Sequence, residues 1–228
     1  MPRTTLTREQ IIRAAVAVLD AEGVGGLNMR RLGAELGAAP TAMYWYVKSK
    51  DELVVLAGDH VWSEIELPDA AQLGWRAAAA ALAHGVHDMV SRHFWLVSTM
   101  GTHLIYGPGK ARYDDHCLAV YEAEGFSGAE ADQAAATVLM FAIGAAQGEA
   151  AELAWRARLR RAGADEEQQL RETLAHMGEV ARQFPRLRER VLSTPEVDAG
   201  PSSRSAFEFG LDTILDGLQA QSRARQPK

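Results

Sequence analysis

"LGAELGAAPTAMYWYVKSKDEL", Leu32 to Leu53, sets a glycine, a proline and three consecutive aromatics inside one short segment. Leu32 and Leu36 stand one helical turn apart, and Gly37 then ends the turn, since glycine enters the left-handed region without a Cβ penalty. Pro40 suits the first position of a following helix, where its missing N–H would have had no partner. Two short helices about a glycine turn form a helix-turn-helix pattern. The second is expected to run to about Val47, with Met43 and Val47 facing inward one turn apart. Consecutive aromatics on a helix cannot all face one core, so Tyr44, Trp45 and Tyr46 straddle its edge.

Outward from this segment, helix punctuation repeats. Thr7 and Gln10 form a capping box ahead of Ile11, Ile12, Ala15, Val16, Val18 and Leu19, and Gly23 closes that helix. Asn28 caps the helix that holds Leu32. Ser49 and Glu52 open a further one carrying Leu53, Leu56, His60 and Trp62, stopped by Pro68. The rest also reads as helices. They cover 72–93 (opened by Asp69 and Gln72), 94–104, 110–124, a long one from Ser127 to about Arg161, 166–183 and 204–222, with a turn at 186–192 and a Pro/Gly/Ser linker at 195–204. The expected fold is all-α: a three-helix helix-turn-helix head over 1–50, a linking helix over about 50–67, and a larger helical body over 68–228.

The 228 residues are 47% apolar, enough for a sizeable core, and net charge is −6. That charge is unevenly spread. Residues 1–50 hold seven Lys/Arg against four Asp/Glu, leaving 17 against 26 for the remainder. A basic head on an acidic body fits a head that meets a polyanion, and it excludes a chain that coats nucleic acid throughout. Cys117 is the single cysteine, so no internal disulfide forms and a reducing cytoplasm is expected. The N-terminus lacks the apolar core of a secretory signal, and no apolar stretch is read as reaching the roughly 18 residues that span a bilayer. No membrane partner is expected.

The second helix of such a motif enters the major groove of double-stranded DNA. Thr41, Ala42, Trp45 and Tyr46 project from its outer side; a threonine hydroxyl and an alanine methyl suit base edges, and the Tyr44 hydroxyl reaches toward a phosphate. Lys48 and Lys50 lie just beyond, placed for the DNA backbone. Arg30 and Arg31 are neighbours on the preceding helix, so at most one aims at the groove.

Residues 7–60 resemble the DNA-binding head of the tetracycline-repressor family of bacterial regulators. The likeness rests on "IIRAAVAVLDAEGVGGLNMRRLGAELG" and on "MYWYVKSKDEL", which is close to the family's tyrosine-x-(His/Tyr)-(Phe/Val)-x-x-Lys-x-x-Leu signature. The resemblance implies that Arg30 reads a base, that Pro40, Thr41, Ala42, Tyr44, Trp45 and Tyr46 lie on the recognition helix, and that Lys50 grips phosphate. It also implies a ligand-binding body dimerised through its last helices. Ala39 and Pro40 stand where the tetracycline repressors carry polar residues, and Tyr46 replaces their histidine, so the operator sequence does not transfer.

In the body, Phe207, Leu211, Ile214, Leu215 and Leu218 form an apolar stripe on the final helix. With Leu139 and Ile143 of the long helix they are the expected homodimer interface, a four-helix bundle; the alternative is packing within one chain. Polar and aromatic side chains in apolar stretches are candidates for a small-molecule effector pocket: His84, His87, Trp95, Met100, His103, Tyr106, Tyr113, His116, Phe141 and Gln147. His84 and His87 have a spacing a metal can use, but no resident metal or other cofactor is expected. The chain therefore reads as a ligand-responsive repressor of a palindromic operator. The rival, a helical metal-dependent enzyme, finds no G-x-S-x-G, H-E-x-x-H, C-x-x-C or phosphate-loop motif in this sequence. A third reading, a non-specific architectural DNA protein, conflicts with the acidic body.

Overall fold

A computed structural model describes residues 6–193 and 203–225, apart from the side chains of residues 40, 191–193, 203 and 225. Most of the expected linker at 195–204 lies outside the described residues. Those described form twelve α-helices and no strand: α1 (Arg8–Glu22), α2 (Met29–Glu35), α3 (Pro40–Met43), α4 (Lys50–Trp62), α5 (Ala70–Leu73), α6 (Trp75–Arg92), α7 (Trp95–Met100), α8 (Pro108–Ala123), α9 (Ala129–Ala162), α10 (Glu166–Ala181), α11 (Pro185–Ser193) and α12 (Ser203–Arg225). The all-α class read from the sequence holds.

The expected caps form. Thr7 Oγ1 accepts from the Gln10 amide while Gln10 Oε1 accepts from the Thr7 amide; Asn28 Oδ1 accepts from the amides of Arg30 and Arg31; Ser49 Oγ accepts from the Glu52 amide. The turn expected at 186–192 is instead the nine-residue helix α11, Pro185–Ser193, which Pro185 opens as a helix-starting residue, and three further boundaries differ for local reasons. α3 ends at Met43 because the chain tightens into three-residue bonds, Trp45 N–H to Ala42 O and Tyr46 N–H to Met43 O. The helix expected over 72–93 is split at Gly74, whose φ of +78° takes it out of helical geometry. α4 stops at Trp62, well short of Pro68, because the Arg112 guanidinium takes the carbonyls of Ser63 and Ile65 at 3.0 and 2.7 Å.

The long α9 is the axis of the body. Ala131, Ala134, Val138, Ala142, Ala146, Ala150 and Ala157 bury one narrow stripe of it, and α6, α7, α8, α12 and the head helix α1 all pack on it. Small side chains let neighbouring backbones approach closely. By length and composition α9 is apolar enough to cross a membrane, against the expectation that no stretch is. Its apolarity is mostly alanine, and the helix serves as a packing axis.

Head and body share one continuous buried cluster, running from Ile11 and Leu19 through Leu53 and Val61 to Trp95 and Val138. A buried polar clasp joins them. His93, between α6 and α7, is 2% exposed. Its Nδ1 lies 2.7 Å from Asp20 Oδ1 on α1 and its Nε2 3.1 Å from Glu64 Oε2 just after α4. Trp95 Nε1 donates to the same Asp20 oxygen at 2.7 Å. With an acceptor at each ring nitrogen, the imidazole donates twice, which is the protonated form. Burial opposes that charge, but the hydrogen bonds and charges of Asp20 and Glu64 outweigh it and raise the pKa. A raised folded pKa contributes stability that is whole below the unfolded value of about 6.5 and is lost as pH rises through the folded value. The melting temperature should therefore fall as pH rises above about 6.5. His84, also raised, acts in the same direction, so His93→Gln should flatten the fall without abolishing it. A slope identical to that of the parent protein would exclude the clasp. His93→Ala should cost about 1–3 kcal/mol, because it removes two charge-assisted hydrogen bonds made from a buried ring.

A candidate nucleic-acid interface

The head core fixes which side of the motif meets solvent. Met43 and Val47 are fully buried against it, while Trp45 is 88% and Tyr44 52% exposed. Tyr46 and Ala42 are half-buried, and Thr41 is exposed. Pro40 opens α3, and its side chain lies outside the described residues. Leaving an indole this far in water forgoes burial worth on the order of 2 kcal/mol, so the aromatic edge is shaped for an external surface.

The two arginines of α2 are not equivalent. Arg31 is held by Glu22 at 2.6 Å and Glu35 at 2.9 Å, which raise its pKa. Arg30 is exposed and makes no ion pair among the described residues. Of the pair, only Arg30 presents an uncompensated guanidinium to solvent. The Lys48 side chain is likewise exposed and without an ion pair among the described residues. Lys50 behaves differently: its Nζ donates to Val24 O at 2.8 Å and fixes the α1–α2 loop, leaving two protons for a phosphate.

The effector candidates do not meet in one place. His84, His87 and Phe141 gather on Phe207, with ring centroids at 5.2, 4.3 and 5.7 Å. His84 also contacts Glu208 and Ala80 O, so its partners are a carboxylate and a carbonyl. The buried His87 Nε2 has no hydrogen-bond partner. Trp95 belongs to the clasp. Met100 is half-buried at the end of α7, and His103 stands 3.6 Å from Asp51. Tyr106 is exposed, His116 Nε2 contacts Pro68 O at 2.8 Å, and Gln147 is exposed. Tyr113 is buried 5.0 Å from Trp62 and lines a 240 Å³ recess with Cys117, Leu118 and Leu139. Burial pushes the Cys117 thiol up to about 11, so it is no nucleophile at neutral pH.

The expected dimer stripe needs correction. Phe207, Leu211, Leu215 and Leu218 are each at most 9% exposed inside the single chain, packed on α6 and α9. Leu139, Ile143 and Ile214 are half-buried. The intrachain alternative thus describes this stripe, because α12 spends it on its own body. The apolar side chains left in water on these two helices include Met140 at 73% and Phe209 at 77%. Neither was singled out from the sequence, where they sit one turn or less from the buried stripe.

A larger cavity, also missed, lies at the seam between head and body. It measures about 490 Å³ and is walled by the Gly23–Gly25 loop, Phe94, Trp95, Val97, Ala154 and Trp155, with Arg158 and Arg161 on its rim. The arginine-rich end of α9 was the sequence signal, but no spacing rule joins residue 155 to residue 24.

Two family models match this chain. One, described as bacterial regulatory proteins, tetR family, covers residues 11–57; the other, the tetracyclin repressor-like C-terminal domain, covers 67–222. The HTH-type transcriptional repressor DrrR1 of Streptomyces coeruleorubidus is 32% identical over 221 residues, spanning 96% of this chain and 79% of that protein. The tetracycline repressor protein class A from transposon 1721 of Escherichia coli is 30% identical over 94% of this chain and 91% of its own length. Among solved structures, the transcriptional regulator SCO7222 of Streptomyces coelicolor superposes with a TM-score of 0.69 at 26% identity, covering 94% of this chain and 98% of that one.

The burial pattern of the motif yields a stability contrast. Met43→Ala should destabilise the protein by about 2–5 kcal/mol, a core cavity cost. Trp45→Ala should change unfolding free energy by less than about 0.5 kcal/mol. Denaturant titration of both variants checks this, and a large loss at Trp45 would mean that the indole is not a free surface group.

Proposed function

The chain belongs to the tetR family of bacterial regulatory proteins, and from that premise we propose that it represses transcription as a homodimer on a palindromic operator and lets go when a small molecule binds its body. It is a DNA-binding regulator. Members of the family regulate transcription and do not catalyse reactions, which sets aside the metal-dependent enzyme.

One observation carries the docking: the motif leaves Tyr44 and Trp45 in water and, on α2, Arg30 exposed without a carboxylate partner among the described residues. In this reading α3 and its following turn enter the major groove, Thr41 and Ala42 face base edges, and Arg30 reads a base. Tyr44 and Lys48 hold phosphates. Each half-site contact is weak by itself, so two heads related by a two-fold axis gain from a palindrome with half-sites about 34–36 Å apart. The second copy is expected on the outer face of α9 and α12, where Met140 and Phe209 stand in water. Gly144 and Gly217 have open space at the Cβ position and keep that face low. Head 1–50, linker 50–67 and body 68–228 are then the working parts. An effector acts through its differential affinity for the DNA-fitting and non-fitting arrangements of the heads. Such a protein works on the chromosome, in the bacterial cytoplasm.

Selection of bound sequences from random duplex DNA should return an inverted repeat. Arg30→Ala should weaken binding to it by about 1–3 kcal/mol and relax preference at one position per half-site. Undiminished affinity and preference would overturn the docking. Phe209→Glu should shift sedimentation toward monomer and lose operator binding with the helical content intact. A variant that stays dimeric would place the interface elsewhere.

A further inference from the structure

The seam cavity carries an unusual charge arrangement. The last turns of α9 hold four arginines. Arg156 pairs with Glu152 at 2.6 Å and Arg160 with Glu166 at 3.0 Å. Arg158 and Arg161 have no carboxylate partner among the described residues, and these two line the cavity. Glu22, the acid on the same rim, is already held by Arg31 at 2.6 Å. The C-terminus of α9 contributes about half a negative charge, which two guanidiniums outweigh. The walls are apolar and aromatic, from Phe94, Trp95 and Trp155, and about 490 Å³ lies within the usual range for sites that take drug-sized molecules.

We propose that this seam is a binding site for a planar aromatic anion, its rings against Trp155 and the Phe94–Trp95 wall and its acid group on Arg158 and Arg161. The site couples to the head by a direct contact. Arg161 Nη1 donates to Glu22 O at 3.0 Å, at the C-terminal end of α1. A Cβ placed on Gly25 would come within 2.5 Å of the same atom, so the guanidinium lies flat on the head's loop. An acid group that draws Arg161 into the cavity removes this tether between α9 and the head. The consequence for DNA rests on the regulator reading given above; the binding site itself does not.

The test uses the full-length protein and two fluorescent probes, 1-anilinonaphthalene-8-sulfonate and its uncharged relative N-phenyl-1-naphthylamine. Arg158→Gln should weaken the sulfonate by about ten-fold and leave the neutral probe unchanged, the signature of one lost charge-assisted contact. Ala154→Phe fills the cavity from an exposed helix position and should abolish binding of both. Saturating sulfonate should lower affinity for the selected operator in the parent protein and not in Ala154→Phe. Sulfonate binding that ignores both substitutions, with operator binding normal, overturns the site and leaves the regulator reading standing. Equal weakening of both probes by Arg158→Gln overturns the anion. Loss of probe binding in Ala154→Phe, in a protein that selects no DNA sequence, upholds the site and overturns the regulator reading.

Discussion

Ala131, Ala134, Ala142, Ala146, Ala150 and Ala157 give α9 a flank on which other helices can lie almost backbone to backbone. Everything else is arranged by that close approach. One 34-residue helix touches α6, α7, α8 and α12 in the body and α1 in the head, so its position is felt at each site described above. A large side chain in the stripe would force neighbours apart, since packed interiors have little slack. The same helix holds the arginines of the seam, the exposed Met140 and the Phe141 that stacks on Phe207.

The contacts between head and body are of two kinds. The apolar cluster along α1, α4 and α8 is non-directional and tolerates small rearrangement. The clasp of His93 between Asp20 and Glu64 and the bond from Arg161 to the Glu22 carbonyl are directional, and they hold the head in one orientation. A regulator needs such a combination. Its head must be held firmly enough to present two recognition surfaces in register, yet by few enough specific contacts that an occupant can shift the balance.

The head was largely legible in the sequence because its signals are local. Thr7, Gln10, Asn28, Ser49 and Glu52 cap their helices within four residues, and Gly37 at φ +63° makes the turn. The inward pair Met43 and Val47 follows from helical spacing alone. The body was less legible. The stripe on α12 has a clear period, but a period does not say whether the covering surface belongs to the same chain or a second one. The contacts of Phe207 with Phe141 and His87 answered that for the stripe.

By itself, the sequence determined the helical class, the helix-turn-helix and the aromatic edge that it leaves exposed, because caps, glycine turns and side-chain spacing act over one or two turns. Tertiary structure alone decided which of Arg30 and Arg31 keeps its charge uncompensated, where α4 ends and that a cavity opens at the seam. Those outcomes depend on Glu22, Arg112 and Trp155, residues brought in by packing from other parts of the chain, and burial and charge pairing are properties of neighbours in space.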